Sequence, residues 1–218
     1  MKIIILAAMA FILVVSVGMS KAESGSADQA NEIRAVYQKY TTAAMSKTGR
    51  DIASIISPES INYYDRILLN VRTATRSELE KLPVEQKMMV LMFRHRMSSE
   101  QLAGFDGLKI ITHSLEQGWV SPESFQNLSI GSVEVFGNHA LAYLNDKTSP
   151  TSGVIEFGYY GAEWRLELSS LIEPLGAILP QMAQQMGVTI DELIFRMLQS
   201  STGIAPTEKI WFPSDTQD

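Results

Sequence analysis

The sequence predicts an α+β domain. Apolar residues recur at three-and-four spacing through the first half. From Leu128 to Leu168 they alternate every second residue, and helical spacing returns from Leu171. Helices, then a run of consecutive short strands, then helices again describe an antiparallel meander covered on one face by helices, with additional helices in the middle and at the C-terminus.

Each element has a local reason. Asp28 opens a helix with Ala30, Ile33, Val36, Tyr37, Tyr40 and Ala44 on its apolar side, and Gly49 is the expected left-handed stop. Ile52, Ile55 and Ile56 form the stripe of a short second helix. Ser57-Pro58-Glu59 reads as N-cap, first helical residue and first-turn acid of a third, with Ile61, Tyr64, Leu68 and Val71 inward. Thr75 with Glu78, Ser98 with Gln101, and Thr189 with Glu192 have capping-box spacing. Pro83 begins the helix Val84 to Met97, and Gly118 closes Asp106 to Gln117. Among the strands, Gly137-Asn138 and Gly161-Ala162 are tight turns, and Asp146 to Ser152 is a longer one. Pro174 lies near the start and Gly187 at the stop of the helix after Leu171, and Gly203 ends Ile190–Ser201.

Residues 1–22 read as an export signal rather than as part of the fold. Lys2 is a short positive start, Ile3 to Val17 is apolar, and Ser20-Lys21-Ala22 places small residues where signal peptidase reads them. The apolar run is short of the roughly 20 residues that span a bilayer, which favours a cleaved signal over the alternative, an uncleaved anchor with a slightly longer span. The expected location is therefore periplasmic or secreted, with a single domain over 23–218 whose last part, 171–218, is a helical extension. The full chain has 18 basic and 24 acidic residues; without Lys2 and Lys21 the balance is 16 to 24, a formal charge of −8. Such a chain is a poor general partner for nucleic acid or an anionic bilayer. Zero cysteines exclude thiolate metal sites, iron–sulfur clusters, disulfides and cysteine nucleophiles.

Ile33 to Tyr40, Gly118-Trp119, Val133-Glu134-Val135, Gly137-Asn138-His139-Ala140 and Gly161-Ala162-Glu163-Trp164-Arg165-Leu166 together resemble the NTF2-like (SnoaL-like) superfamily over residues 28–170. The resemblance implies a cone-like curved antiparallel sheet covered on one face by helices, with a cavity between the sheet and the long first helix. The helical stretch 75–117 and the helices of 171–203 depart from that pattern. The superfamily holds isomerases, dehydratases and non-catalytic binding or assembly members, so the fold alone names no reaction.

Few residues invite chemistry. His95 stands alone between Arg94 and Arg96, His113 is mid-helix, and His139 follows a turn; no two have metal-ligand spacing, so no metal or other cofactor is expected. Asp65 lies beside Tyr63-Tyr64, and the resemblance suggests an acid base with a phenol donor, but no motif assigns either role. Glu134, Glu156, Arg165 and Glu167 fall at the polar positions of the alternation. The catalytic alternative is thus an isomerase or dehydratase using Asp65 or His95 as base and Tyr64 as donor. The favoured reading is a non-catalytic domain that binds a small apolar ligand near Tyr37, Tyr40, Tyr64 and His95. An assembly role, such as a homodimer, would use the Met-rich C-terminal helices.

Overall fold

The computed structural model describes residues 27–120, 127–146 and 153–216. Residues 1–22, expected to direct export, and most of the Asp146–Ser152 turn lie outside the described residues. The chain is α+β and divides into two compact units. One comprises the residues up to Ser57 with Ser114–Leu168, and the other Pro58–His113 with the residues from Ser169 on. Among the described residues no helix is long and apolar enough to cross a membrane.

The first unit is built on helix α1 (Ala27–Met45), the short α2 (Ile52–Ile55) and strands β1 (Leu128–Phe136), β2 (His139–Asp146), β3 (Val154–Tyr160) and β4 (Glu163–Leu166). The strands form an open antiparallel sheet in the order β1-β2-β3-β4. Alternation sorts its faces as the sequence requires. Val135, Ala140, Ala142, Leu144, Ile155, Phe157, Trp164 and Leu166 are buried, while Glu134, His139, Glu156 and Arg165 take the other side. Helix α1 buries Ile33, Tyr37, Tyr40 and Ala44 and runs against β1 and β4.

Both short hairpins use glycine where φ is positive. Gly137 (φ 61°) opens the β1–β2 turn, and Gly161 with Ala162 (φ 57° and 72°) gives the β3–β4 turn the twist of a primed type. Between Ile130 and Val133 β1 carries a bulge, and Arg34 of α1 donates from Nη2 to the Gly131 carbonyl there at 2.8 Å. At the opposite edge Ile56 pairs in parallel with Leu166. Ser57 fastens that strip twice, through its backbone N–H to Leu166 O (3.0 Å) and its hydroxyl to Glu167 Oε2 (2.5 Å).

Helix α1 does not stop at Gly49. Thr48 N bonds Ala43 O and Lys47 N bonds Ala44 O, so the left-handed residue is Lys47 (φ 50°). Trp119 and Gly118 (φ 64°) close another helix by the same pair of bonds, to Ser114 O and Leu115 O. A Cβ on Gly118 would stand 2.7 Å from Lys47 Cε. The lysine therefore lies against a helix C-terminus, where a positive charge is favoured.

The second unit contains α3 (Pro58–Thr73), α4 (Arg76–Leu79), α5 (Val84–Arg96), α6 (Ser99–Ala103), α7 (Gly107–Glu116, across the unit boundary), α8 (Ser169–Ile172), α9 (Leu175–Met186) and α10 (Ile190–Thr202), then a 3-10 turn Glu208–Trp211. The capping boxes at Thr75, Ser98 and Thr189 are all formed. Pro83 precedes α5 instead of opening it. The single helix expected after Leu171 is interrupted ahead of Pro174, giving α8 and α9, and Gly187 (φ 65°) ends the latter.

Helix α5 is the hub, packing on α3, α9, α10 and the 3-10 turn. It buries residues on all sides, Met89, Val90, Leu91, Phe93 and Arg94 among them. Arg94 is only 6% exposed. Its Nε donates to Val71 O (2.9 Å), Nη2 to Asn70 O (2.8 Å) and Ala74 O (2.6 Å), and Nη1 to Ile210 O (3.2 Å). Three of those carbonyls lie at the C-terminal end of α3, where the helix dipole is negative. Burial lowers the guanidinium to about 10, still cationic at neutral pH. Replacing Arg94 with Met should cost about 3–5 kcal/mol in urea unfolding, because four carbonyl acceptors, three of them in buried bonds, lose their donor. Arg94→Lys should recover little, since one ammonium cannot span the fork.

Candidate functional site

The residues singled out in the sequence fall in both units. Tyr37 and Tyr40 are buried on α1 in the first. Burial pushes the Tyr37 phenol up to about 12, and burial followed by the neighbouring Tyr37 raises Tyr40 further. Both stay protonated through the neutral range. The Tyr37 hydroxyl has no hydrogen-bond partner among the described residues.

Tyr64, Asp65 and His95 belong to the second unit, and the hydrogen bonds of Asp65 and His95 hold helices. Asp65 Oδ1 accepts the Gly107 N–H at 2.6 Å, while Asp106 Oδ1 accepts the Lys109 N–H at 2.8 Å. Two carboxylates thus serve the first turn of α7. Gly107 is required there, because a Cβ would come within 2.2 Å of Ile61 O. The Tyr64 ring meets Tyr63 edge-on at 5.8 Å. His95 Nε2 lies 2.9 Å from Thr202 Oγ1, and that hydroxyl also reaches Leu198 O at 2.9 Å, tying α5 to the end of α10. Burial, then Arg96, lowers the imidazole from its ordinary 6.5 against an opposing hydrogen bond with Ile204. Of the other histidines, His113 stacks edge-on with Phe105 at 5.1 Å, and His139 Nε2 lies 3.8 Å from Glu156 Oε2.

The sheet's polar side is a set of cross-strand contacts. Tyr143 donates to Glu134 Oε2 (3.3 Å) and Tyr160 to Glu167 Oε1 (2.8 Å), the carboxylate that also holds Ser57. Gly158 leaves the room this needs, since a Cβ would lie 2.4 Å from the Tyr160 ring.

A spacious concave feature lies elsewhere in the first unit. A groove of about 720 Å³ runs between α1 and the segment leading into α2, lined by Ala35, Lys39, Thr42, Thr48, Arg50 and Ile55 among others. A second, of about 280 Å³, shares Ala35, Lys39, Ser54 and Ile55 with it and continues to Glu32, Glu163 and Trp164 at the β3–β4 hairpin. Trp164 is 3% exposed, and its indole N–H has no acceptor among the described residues. The turn that supplies Thr48 and Arg50 is bracketed by Lys47 and Asp51 (φ 64°), two left-handed residues that are not glycine. Sequence reasoning missed the groove. Lys39 and Arg50 belong to no motif, and only the fold brings them to one concave surface; the pattern around Trp164 was the one legible sign.

Asp65→Ala should cost about 1 kcal/mol, the value of a helix N-cap, with Asp65→Asn intermediate, by urea unfolding. For His95, the folded pKa lies below the unfolded one, so folding favours the neutral ring. Its contribution is full above the unfolded value and declines as pH falls through that value toward the folded one. The urea midpoint of the natural chain should therefore drop more between pH of about 7.5 and 5.5 than that of His95→Gln. No family model, curated protein or solved structure matches this chain.

Proposed function

We propose that this chain is an exported NTF2-like binding module that holds a small molecule, without converting it, in the paired grooves along α1. The observation that carries the reading is the groove itself. Its larger part falls within the roughly 300–1,000 Å³ of small-molecule sites, and it sets a largely polar lining beside an apolar strip of Ala35, Ala43 and Ile55. In this reading the four strands are the wall of a cone and α1 is the helix that roofs it. The run of α1 against β1 and β4 supports that picture, as do the parallel strip at Ile56 and the buried Trp164 after the Gly161 turn.

Two observations favour binding over the other readings. Asp65 and His95, the bases an isomerase or dehydratase would need, already hold α7 and α10. The Met-rich C-terminal helices, which an assembly surface would use, direct Leu179, Ala183 and Leu193 into a core with Met88, Met182 and Met197. Export is part of the proposal. Intact-mass measurement of protein recovered from cells should give a chain beginning at Glu23, and an intact Met1 in a cytosolic fraction would refute it.

Thermal shift of the mature chain against a metabolite panel tests binding. A ligand at about a hundred times its Kd should raise the midpoint by about 5–10 °C. Ala35 is exposed and lines both grooves. Ala35→Trp should leave the ligand-free midpoint in place and abolish the shift; a panel without hits, or hits indifferent to Ala35→Trp, would overturn the reading.

A further inference from the structure

The larger groove has a chemical polarity that narrows its occupant. Lys39 and Arg50 both line it. The basic partners of the described ion pairs are Arg76, Lys87, Lys109 and Arg165, with the His139 ring beside Glu156, so neither groove cation is paired among the described residues. That is notable in a chain whose acids outnumber its bases by 24 to 18. The one acid on the same groove is Asp51. At the hairpin end the smaller groove, which shares Lys39, carries two acids, Glu32 and Glu163; the latter lies 3.8 Å from Arg165, which partly offsets its charge.

The neutral groups tell the same way. The Thr48 hydroxyl oxygen accepts the Arg50 N–H at 3.3 Å, which leaves its own proton free to donate. Thr42 and Gln38 add a hydroxyl and an amide to the same wall. Lysine, arginine, threonine and glutamine side chains thus present many N–H and O–H donors to a single concavity. A group that only accepts hydrogen bonds and carries negative charge satisfies them best. Ala35, Ala43 and Ile55 provide apolar wall beside them, and the smaller groove extends it with Val36 and Trp164.

Resting on the binding reading above, we infer that the ligand is an organic anion, a carboxylate or phosphate on an apolar body, with Lys39 and Arg50 reading the acid group. The body lies along Ile55 toward Trp164. A soluble aryl acid and a lipid acid share this chemistry.

The test uses matched probes on the mature chain by titration calorimetry: 4-phenylbutyrate, its neutral amide 4-phenylbutanamide, phenyl phosphate, and oleate. The acids should bind at least about tenfold more tightly than the amide, the effect expected of charge-assisted hydrogen bonds. Lys39 and Arg50 are exposed, so the double variant Lys39→Gln/Arg50→Gln should keep the ligand-free thermal midpoint while its acid affinity falls to that of the amide. Tighter binding of oleate than of phenylbutyrate assigns a lipid source, and the reverse a soluble one. Equal binding of acid and amide, both lost in Ala35→Trp, would overturn the anion inference and leave the groove standing. Acid binding that survives Ala35→Trp would overturn the groove itself. A preference for acids retained in the double variant, or no binding by any probe, would overturn the inference.

Discussion

The helical unit depends on the placement of one charge. A guanidinium removed from water is costly unless its N–H groups find acceptors, and Arg94 finds them in main-chain carbonyls rather than in a carboxylate. The acceptors come from the end of α3, the residue after it and the 3-10 turn near the C-terminus. One side chain of α5 thereby fixes where a helix stops and where a segment more than a hundred residues away must lie. Arg72 repeats the device on a smaller scale, donating to the carbonyls of Leu102 and Phe105. Arginine suits this work because its planar fork addresses several acceptors at once.

What the sequence made legible was local. Capping boxes span three residues, and the chain carries both halves, so Thr75, Ser98 and Thr189 could be read directly. The same holds for the two-residue turns at Gly137 and Gly161, and for alternation that puts Phe157 inside and Glu156 outside. The first helix ends short of the stop expected at Gly49, since a glycine close to a helix end need not be the left-handed residue itself. The backbone closes two residues earlier on Lys47, whose side chain has a reason to be there only once the end of α7 is beside it.

What stayed hidden was long-range. Asp65 reads in the sequence only as a possible base, because its partner, the Gly107 amide, is 42 residues away and carries no side chain to notice. His95 and Thr202 are separated by 107 positions, Ser57 and Glu167 by 110. The groove is an extreme case. Lys39 sits on the exposed side of an amphipathic helix, which the sequence pattern describes as ordinary solvated surface, and only the return of residues 48–55 turns that surface into a wall. Charge patterns report which residues face outward, and tertiary structure decides which outward faces become concave.

The bulge in β1 has a consequence for the chain's solubility. As the terminal strand of its sheet among the described residues, β1 is rich in Val and Ile and has a single charge, Glu134, the composition that invites a stray strand to add on. The extra residue at Gly131–Ser132 breaks the regular spacing of its backbone groups, and Arg34 occupies one of its carbonyls. A would-be partner strand therefore meets a template interrupted by one misfit and one arginine.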